Sequence, residues 1–299
     1  AYRQMLTEIP QSKAKVAVKE PSQQQLANLL DHYNNGRFGD AEKLAVSITE
    51  EFPQHEYAWK ILGAVLGATG KKSGAVDAYQ TAVALSPQDA IVHCNFGVTL
   101  QELGRFDEAE ASLRQAIALK PDYANAHSNL GNTLKELGRL GEAETSLRQA
   151  IALRPDSTEA HNNLANTLKK TGRLDEAEAS YKRAIALKPD YATAYYNLGA
   201  TLRERGRLDE SEASLRQAIL LKPQLTEAHN NLGGTLQELG RLGEAEASYM
   251  QAIALRPDYA TAHNNLGNTL RELGRFDEAE ASLRQAIALK PDYADAHSS

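Results

Sequence analysis

Asparagine recurs every 34 residues along much of this 299-residue chain, and its side chain is suited to hydrogen bonding. The row consists of Asn95, Asn129, Asn163, Asn197, Asn231 and Asn265. A carboxamide has one acceptor and two donors, so it can make paired hydrogen bonds to a peptide backbone without reading that peptide's side chains. Asparagine is also a poor helix former, so its recurrence at one spacing needs an explanation. The row therefore favours backbone recognition, and the alternative is that it recurs only because the whole sequence repeats.

Histidine also recurs in steps of 34 residues or multiples of 34, which raises the question of a metal site. The histidines in this row are His93, His127, His161, His229, His263 and His297. Ligands of one ion must all lie about 2 Å from it, and residues a full repeat apart are too distant for that. We therefore expect these histidines to be structural. The sequence contains no glycine-rich phosphate loop, His-Glu-x-x-His motif or nucleophile elbow, so it predicts no enzyme, no cofactor and no metal.

Charge and composition narrow the classes of partner. The chain has 33 Lys and Arg against 39 Asp and Glu, which gives a net charge of −6 with the two signs interspersed. This pattern does not favour nucleic-acid binding. No run of 18 apolar residues occurs, so no membrane span is expected. Cys94 is the single cysteine, which excludes an intrachain disulfide. The compartment stays open, with a slight preference for the cytoplasm.

The prolines show that the chain is a tandem repeat. Eight of its ten prolines follow one another at intervals of 34 residues, from Pro53 to Pro291. We number each repeat so that this proline is position 32. The predicted organisation is a loosely structured lead-in at 1–21, a degenerate capping repeat at 22–55 and seven regular repeats at 56–293. Residues 294–299 then begin a ninth repeat, which we expect to be truncated.

Each repeat is predicted to be a helical hairpin. Glycine stands at position 15 in the seven regular repeats, and two helices of about 14 residues fit between this glycine and the proline. Position 8 is Gly or Ala in those repeats, which suits close helix packing. An aspartate follows most of the prolines and is expected to cap the next helix. These candidate caps are Asp122, Asp156, Asp190, Asp258 and Asp292.

The repeat resembles the tetratricopeptide family. The residues that carry the resemblance are Trp59, Leu62, Gly63, Leu66, Ala75, Tyr79, Ala82 and Pro87. It implies an all-α fold, a right-handed α-α superhelix of eight hairpins plus the start of a ninth, whose concave groove carries positions 2, 6, 9 and 13. The stretch from His127 to Glu136 is also similar to the repeats of O-linked N-acetylglucosamine transferases. The resemblance implies that an extended or disordered protein segment binds along the groove.

Other polar residues are expected to tune the groove. Position 9 adds Asn132, Asn166 and Asn268, position 12 adds Lys135, Lys169, Arg203 and Arg271, and position 13 adds Lys170. Lys169 and Lys170 form a basic spot that either favours an acidic ligand side chain or is a solvated surface pair. About a dozen hydrogen bonds at roughly 0.5–1.5 kcal/mol each must offset about 1–2 kcal/mol for each backbone residue that becomes ordered. The asparagine row alone is therefore expected to bind weakly.

Three functions remain open at this stage. The first is a protein-interaction scaffold. The second is the substrate-recruiting region of a larger glycosyltransferase or sulfotransferase, an alternative motivated by the unfinished ninth repeat. The third is a structural solenoid that self-associates end to end, because a head-to-tail contact that does not close makes a filament.

Overall fold

The computed structural model describes residues 20–290, and these form sixteen α-helices packed in consecutive antiparallel pairs. The all-α prediction of eight helical hairpins is therefore confirmed. The chain divides into two compact blocks, one that ends at Pro155 and one that begins at Asp156. Most of the expected lead-in and all of the expected ninth repeat lie outside the described residues.

The N-terminal block holds eight helices. Their bounds are α1 Gln23–Asn34, α2 Phe38–Glu51, α3 Glu56–Ala68, α4 Lys72–Leu85, α5 Ala90–Glu102, α6 Phe106–Leu119, α7 Ala124–Glu136 and α8 Leu140–Leu153. The C-terminal block holds the other eight. These are α9 Thr158–Lys170, α10 Leu174–Leu187, α11 Ala192–Glu204, α12 Leu208–Leu221, α13 Thr226–Glu238, α14 Leu242–Leu255, α15 Ala260–Glu272 and α16 Phe276–Leu289.

The turn inside each hairpin depends on the glycine at position 15. After α7 the chain reverses at Gly138, whose φ of 75° is a left-handed conformation that glycine adopts without a steric penalty. The amide of Arg139 then donates to the carbonyl of Leu134 over 2.9 Å, which satisfies a carbonyl in the last turn of the helix. The turn residue thus ends the first helix and starts the return of the chain.

The helix starts differ from the expectation. α7 begins after Tyr123, which stands at the N-cap and makes no side-chain cap bond. Asp122 lies one residue too early to cap, and Asp190 and Asp258 likewise precede a tyrosine at the N-cap. The capping prediction was wrong for Asp122, Asp156, Asp190 and Asp258, because the cap is position 34 rather than 33, and Asp292 lies outside the described residues. Where position 34 has a suitable side chain, it does cap, as Asp89 accepts from the amide of Ile91 over 2.8 Å.

Small residues at position 8 let the two helices of a hairpin approach closely. A Cβ placed on Gly131 would lie 2.5 Å from Cγ of Leu147, and one on Gly97 would lie 2.7 Å from Cγ of Leu113. Both leucines are fully buried. The predicted close packing at position 8 is therefore confirmed, and it fixes how the first helix of each hairpin presents its other face.

Candidate peptide-binding surface

The asparagine row occupies the middle of the first helix in six consecutive repeats. Asn129 lies on α7, Asn197 on α11, Asn231 on α13 and Asn265 on α15. These four and Asn163 on α9 are half-buried. Asn95 on α5 is only 5% exposed, so it is poorly placed to meet a ligand.

Four of the six row asparagines hydrogen-bond to a side chain of the preceding repeat. Asn197 Nδ2 donates to Asn162 Oδ1 over 3.2 Å, and Asn265 Nδ2 donates to Asn230 Oδ1 over 3.1 Å. Asn129 Nδ2 lies 3.7 Å from Sγ of Cys94, which accepts the bond. Position 6 of one repeat thus bonds to position 5 of the preceding repeat.

The fourth example uses a phenol as the partner. Asn231 hydrogen-bonds to the side chain of Tyr196, again at position 5 of the preceding repeat. Burial raises the pKa of this tyrosine, and the bond with Asn231 opposes the rise. Sequence reasoning missed these partners. The available signal was that position 5 carries a group able to hydrogen-bond in every repeat from 90 onward.

A row of threonines lies one turn further along the same helices and was also missed. At position 10 each hydroxyl donates to the backbone carbonyl of the row asparagine four residues earlier, over 2.8–3.0 Å. These threonines are Thr99, Thr133, Thr167, Thr201, Thr235 and Thr269, and each is at most 1% exposed. The bond satisfies a buried hydroxyl within its own helix.

Two of the three position 9 asparagines have side-chain partners within their own repeat. Asn132 Oδ1 accepts from Nζ of Lys135 over 2.8 Å, and Asn166 Oδ1 accepts from the hydroxyl of Tyr181 over 2.6 Å. Asn268 is half-buried on α15. Because two of these acceptors are already used, position 9 has less hydrogen-bonding capacity than the sequence suggested.

The basic residues at position 12 are mostly neutralised. Lys169 Nζ lies 2.7 Å from Glu204 Oε1, and Arg203 Nη2 lies 2.6 Å from Glu238 Oε1, so each cation pairs with position 13 of the next repeat. Lys135 pairs with Glu136 over 2.9 Å. Lys170 and Arg271 are exposed and form no ion pair within residues 20–290. The basic spot predicted at Lys169 and Lys170 is therefore reduced to Lys170.

The position 4 histidines hydrogen-bond to the turns that connect successive hairpins. Nε2 of His127 lies 2.9 Å from the carbonyl oxygen of Pro121, and His93, His229 and His263 make the same contact over 2.9–3.0 Å. Trp59 donates to the carbonyl of Pro53 in the same way, over 2.9 Å. Histidine thus replaces tryptophan as a donor to the proline carbonyl. Within the described residues no group of three or more candidate ligands could hold a metal ion.

Cys94 is a packing residue beside the row. It is fully buried, and burial raises the pKa of its thiol to about 11, although hydrogen bonds with Asn129 and Tyr123 oppose the rise. A thiol in such surroundings is protonated at neutral pH and is a poor nucleophile. Its role is to accept the Asn129 bond.

The hydrogen bond to the preceding repeat determines which donors and acceptors of each asparagine remain free for a ligand. One N–H of Asn197 and one of Asn265 go to the preceding repeat, which leaves a second N–H and free lone pairs on Oδ1. The bond also fixes the orientation of the carboxamide. Asn197 and Asn265 therefore each present an oriented donor and acceptor at the surface, the groups that could bind the C=O and N–H of a peptide group.

The fold and this surface define a tetratricopeptide-repeat protein-interaction scaffold. The model of the tetratricopeptide repeat matches residues 260–293. The model described as "Cilia and flagella-associated protein 70 C-terminal domain" matches residues 39–265, more than half of the chain. The chain therefore belongs to this family. The resemblance to O-linked N-acetylglucosamine transferases is not supported, because the matching family is a different one.

Comparison with solved structures shows the same fold. In the Cut9–Hcn1 hetero-tetramer of APC/C, the match has a TM-score of 0.67 and 17% identity, covering 89% of this chain and 53% of the other. The match to the type IV pilus biogenesis factor PilW has a TM-score of 0.63 and 24% identity, and it covers 68% of this chain and 94% of the other. The match to YrrB, described as a TPR protein with an unusual peptide-binding site, has a TM-score of 0.50 and 24% identity. It covers 62% of this chain and 96% of the other.

No curated protein sequence matches the chain. Among the described residues, no helix has the length and apolar character that crossing a membrane requires. Both matching family models describe repeat domains, and neither describes a catalytic one.

Proposed function

We propose that this chain binds an extended or disordered segment of another protein along the asparagine row. The observation that carries the proposal is the oriented carboxamide, which bonds to the preceding repeat through one N–H and keeps its other groups for a ligand. If the first helices of adjacent repeats lie about 10 Å apart, an extended chain that rises about 3.3 Å per residue meets one asparagine every three residues. Residues Asn197, Asn231 and Asn265 span two such intervals and would then engage a stretch of about seven residues.

Preorganisation raises the affinity expected of such a surface. A free asparagine side chain loses rotamer freedom when it binds, at about 0.5–1.5 kcal/mol for each immobilised side chain. The inter-repeat bond removes that freedom when the protein folds, so binding no longer bears the cost. Backbone contacts still give little specificity, so the sequence preference must come from side-chain contacts along the groove.

The test is selection of random 16-residue peptides displayed on phage, with the chain immobilised and selected peptides measured by calorimetry. In the double variant Asn197→Ala/Asn231→Ala we expect at least tenfold weaker binding, because up to four hydrogen bonds of about 0.5–1.5 kcal/mol each are lost. The matched control is Gln251→Ala/Gln285→Ala, which removes two exposed carboxamides from second helices. Equal effects of the two variants, or no peptide enriched over an uncoated surface, would contradict the proposal.

A ciliary setting is a second proposal, supported by the family description alone. We expect the fluorescently tagged chain to concentrate in the cilia of a ciliated cell line, with a tagged Asn197→Ala/Asn231→Ala variant showing whether the surface is needed. Diffuse fluorescence for both would argue against this setting. Recruitment of substrate to a transferase and end-to-end self-association stay predictions from the sequence, and the family match favours neither.

A further inference from the structure

Arg203 and Gly234 meet on the same surface as the asparagine row. Gly234 stands at position 9 of α13, where Asn166 and Asn268 stand in two other repeats of the C-terminal block. A Cβ placed on Gly234 would lie 2.4 Å from Nη1, 2.6 Å from Cζ and 2.8 Å from Nη2 of Arg203, which reaches across from α11. A Cβ at this position would displace the guanidinium, which is the end of a flexible side chain.

These three distances show which way the guanidinium lies. Atoms Nη1, Cζ and Nη2 are nearly equidistant from one point above the glycine, so the guanidinium plane faces that point. An edge-on approach would bring one nitrogen close and leave Cζ and the other nitrogen farther away. One face of the group therefore rests on Gly234, and the side chain of Arg203 remains 34% exposed.

Glu238 occupies one edge of the same guanidinium. Its Oε1 accepts from Nε of Arg203 over 2.7 Å and from Nη2 over 2.6 Å. The ion pair is neutral as a whole, which weakens its attraction for a ligand carboxylate. The outer face of the guanidinium is left for the ligand, and a guanidinium face stacks well on aromatic rings.

We propose that this seated guanidinium, made by Arg203 on Gly234 and held by Glu238, is a stacking platform for an aromatic side chain of the bound segment. The proposal rests on the proposed function and adds a sequence preference to it. Asn197 and Asn231, one in each of the same two repeats, would hold the backbone on either side. The ligand thus carries a Phe, Tyr or Trp where it passes between α11 and α13.

The other position 12 residues of the block provide the comparison. Lys169 forms the equivalent ion pair with Glu204, but an ammonium has no flat face. Arg271 is exposed and forms no ion pair within the described chain. Arg203→Lys therefore keeps the charge and the link to Glu238 while it removes the platform. Gly234→Ala moves the guanidinium off this seat, because a Cβ 2.4 Å from Nη1 forces the end of the Arg203 side chain to shift.

One test uses a small aromatic probe and does not depend on any peptide. Millimolar N-acetyltyrosinamide is titrated into the full chain while the Arg203 Nε–Hε signal is followed by NMR. We expect a saturable upfield ring-current shift in the native chain that is absent with N-acetylalaninamide. The shift should be lost in Gly234→Ala and should stay in the control Gly243→Ala, whose Cβ would meet nothing within 4 Å.

The second test uses the selected peptides. We expect an aromatic residue at one fixed place in the peptides, and its change to Ala should weaken binding about fivefold in the native chain but less than twofold in Arg203→Lys. A probe shift without peptide binding would overturn the proposed function and leave the platform standing. Peptide binding through Asn197 and Asn231 with neither an aromatic preference nor a probe shift would overturn the platform alone. Acidic residues at that place would also overturn it.

Discussion

Asn197 shows how one side chain can stabilise the fold with one group and keep its other groups for a ligand. One N–H of its carboxamide bonds to Asn162 in the preceding repeat, and the rest faces a half-buried surface. At the same position Ile61 is fully buried in an apolar cluster with Leu26, the position 5 residue before it. The pair at positions 5 and 6 therefore joins neighbouring repeats by polar or by apolar contact. The asparagine version joins them and also leaves groups for recognition.

The Asn162–Asn197 bond should be measurable as a coupling energy. In a double-mutant cycle of Asn162→Ala and Asn197→Ala, we expect a coupling of about 0.5–1.5 kcal/mol in the free energy of unfolding. The reference cycle pairs Asn197→Ala with Gln251→Ala, an exposed residue on a different helix, and should give no coupling. Urea unfolding followed by circular dichroism gives the values. Indistinguishable couplings in the two cycles would refute the structural role of the bond.

Gly131 is expected to resist substitution although it lies inside a helix. Gly131→Ala gains roughly 0.5–1 kcal/mol of helix stability, but its Cβ would lie 2.5 Å from Leu147 Cγ, and overpacking costs about 1–3 kcal/mol. We expect a lower unfolding midpoint. The control Gly141→Ala lies in α8 with nothing within 4 Å and should raise the midpoint. A midpoint raised equally by both changes would show that the helices can separate without cost.

At the scale of helices, charged side chains link the second helices of adjacent repeats. Arg241 pairs with Glu244 in its own repeat over 2.7 Å and with Glu212 in the preceding repeat over 2.6 Å. Arg275 does the same with Glu278 and Glu246 over 2.6 and 2.7 Å. The two arginines, Glu244 and Glu278 are well exposed to solvent, whereas Glu212 and Glu246 are more buried, and a pair with an exposed partner contributes little by itself. Their regular recurrence favours one register between hairpins.

Glu178 on α10 departs from this pattern because its side chain is only 8% exposed and has three cationic partners. Lys182 Nζ lies 2.6 Å away and Arg207 Nη1 2.7 Å away, and Arg205 also pairs with it. Arg205 stands at position 14, which is leucine in four other repeats. Burial alone would raise the pKa of Glu178, but the hydrogen bonds from Lys182 and Arg207 lower it below its ordinary value.

We expect Glu178→Gln to destabilise the chain by about 2–4 kcal/mol, because it leaves three neighbouring cations without their shared carboxylate. A lowered folded pKa means that the carboxylate stabilises the fold above the ordinary pKa of 4.5 and that this contribution is lost as the pH falls through the folded value. The acid-side loss of stability should therefore shrink in the variant. Glu246→Gln is the control and should cost less. Unchanged pH profiles in both would contradict this account.

At the scale of the whole molecule, each of the two blocks is a series of hairpins that pack on their neighbours within that block. In the C-terminal block α12 packs on α13 and α14 on α15, and the first helix α13 also contacts the first helices α11 and α15. Such a chain stores its stability as a sum of repeats and nearest-neighbour contacts. A substitution that destabilises one repeat should therefore also destabilise the adjacent repeats, and its effect should decrease with distance beyond them.

Hydrogen exchange can test this spread. Gly233→Ala would place a Cβ 2.7 Å from Cε1 of Tyr249 and should separate α13 from α14. We expect faster amide exchange in these two helices and in their contacts α12 and α15, with α9 unchanged. Gly243→Ala, which meets nothing within 4 Å, should leave exchange unaltered. Uniformly faster exchange across the block would show global rather than nearest-neighbour cooperativity.

The sequence by itself determined the hairpins, because helix ends and close packing depend on local residue types. Glycine at position 15, proline at position 32 and a small residue at position 8 recur every 34 residues, and each acts on its own turn or helix pair. The asparagine row was visible for the same reason. The cap was misplaced by one residue because the helix begins after position 34 whether that residue is Tyr123, Asp89, Ser157 or Leu225, so the side chain at position 33 does not determine the start.

Only the tertiary structure decided how the groups on the surface are used. The bond from Asn197 to Asn162, the neutralisation of Lys169 by Glu204 and the seating of Arg203 on Gly234 each join residues from successive repeats. Such pairs are about 35 residues apart in sequence, and no rule of helix periodicity brings them together. They meet because stacking places one hairpin beside the next, and that contact determines which donors, acceptors and charges remain for a ligand.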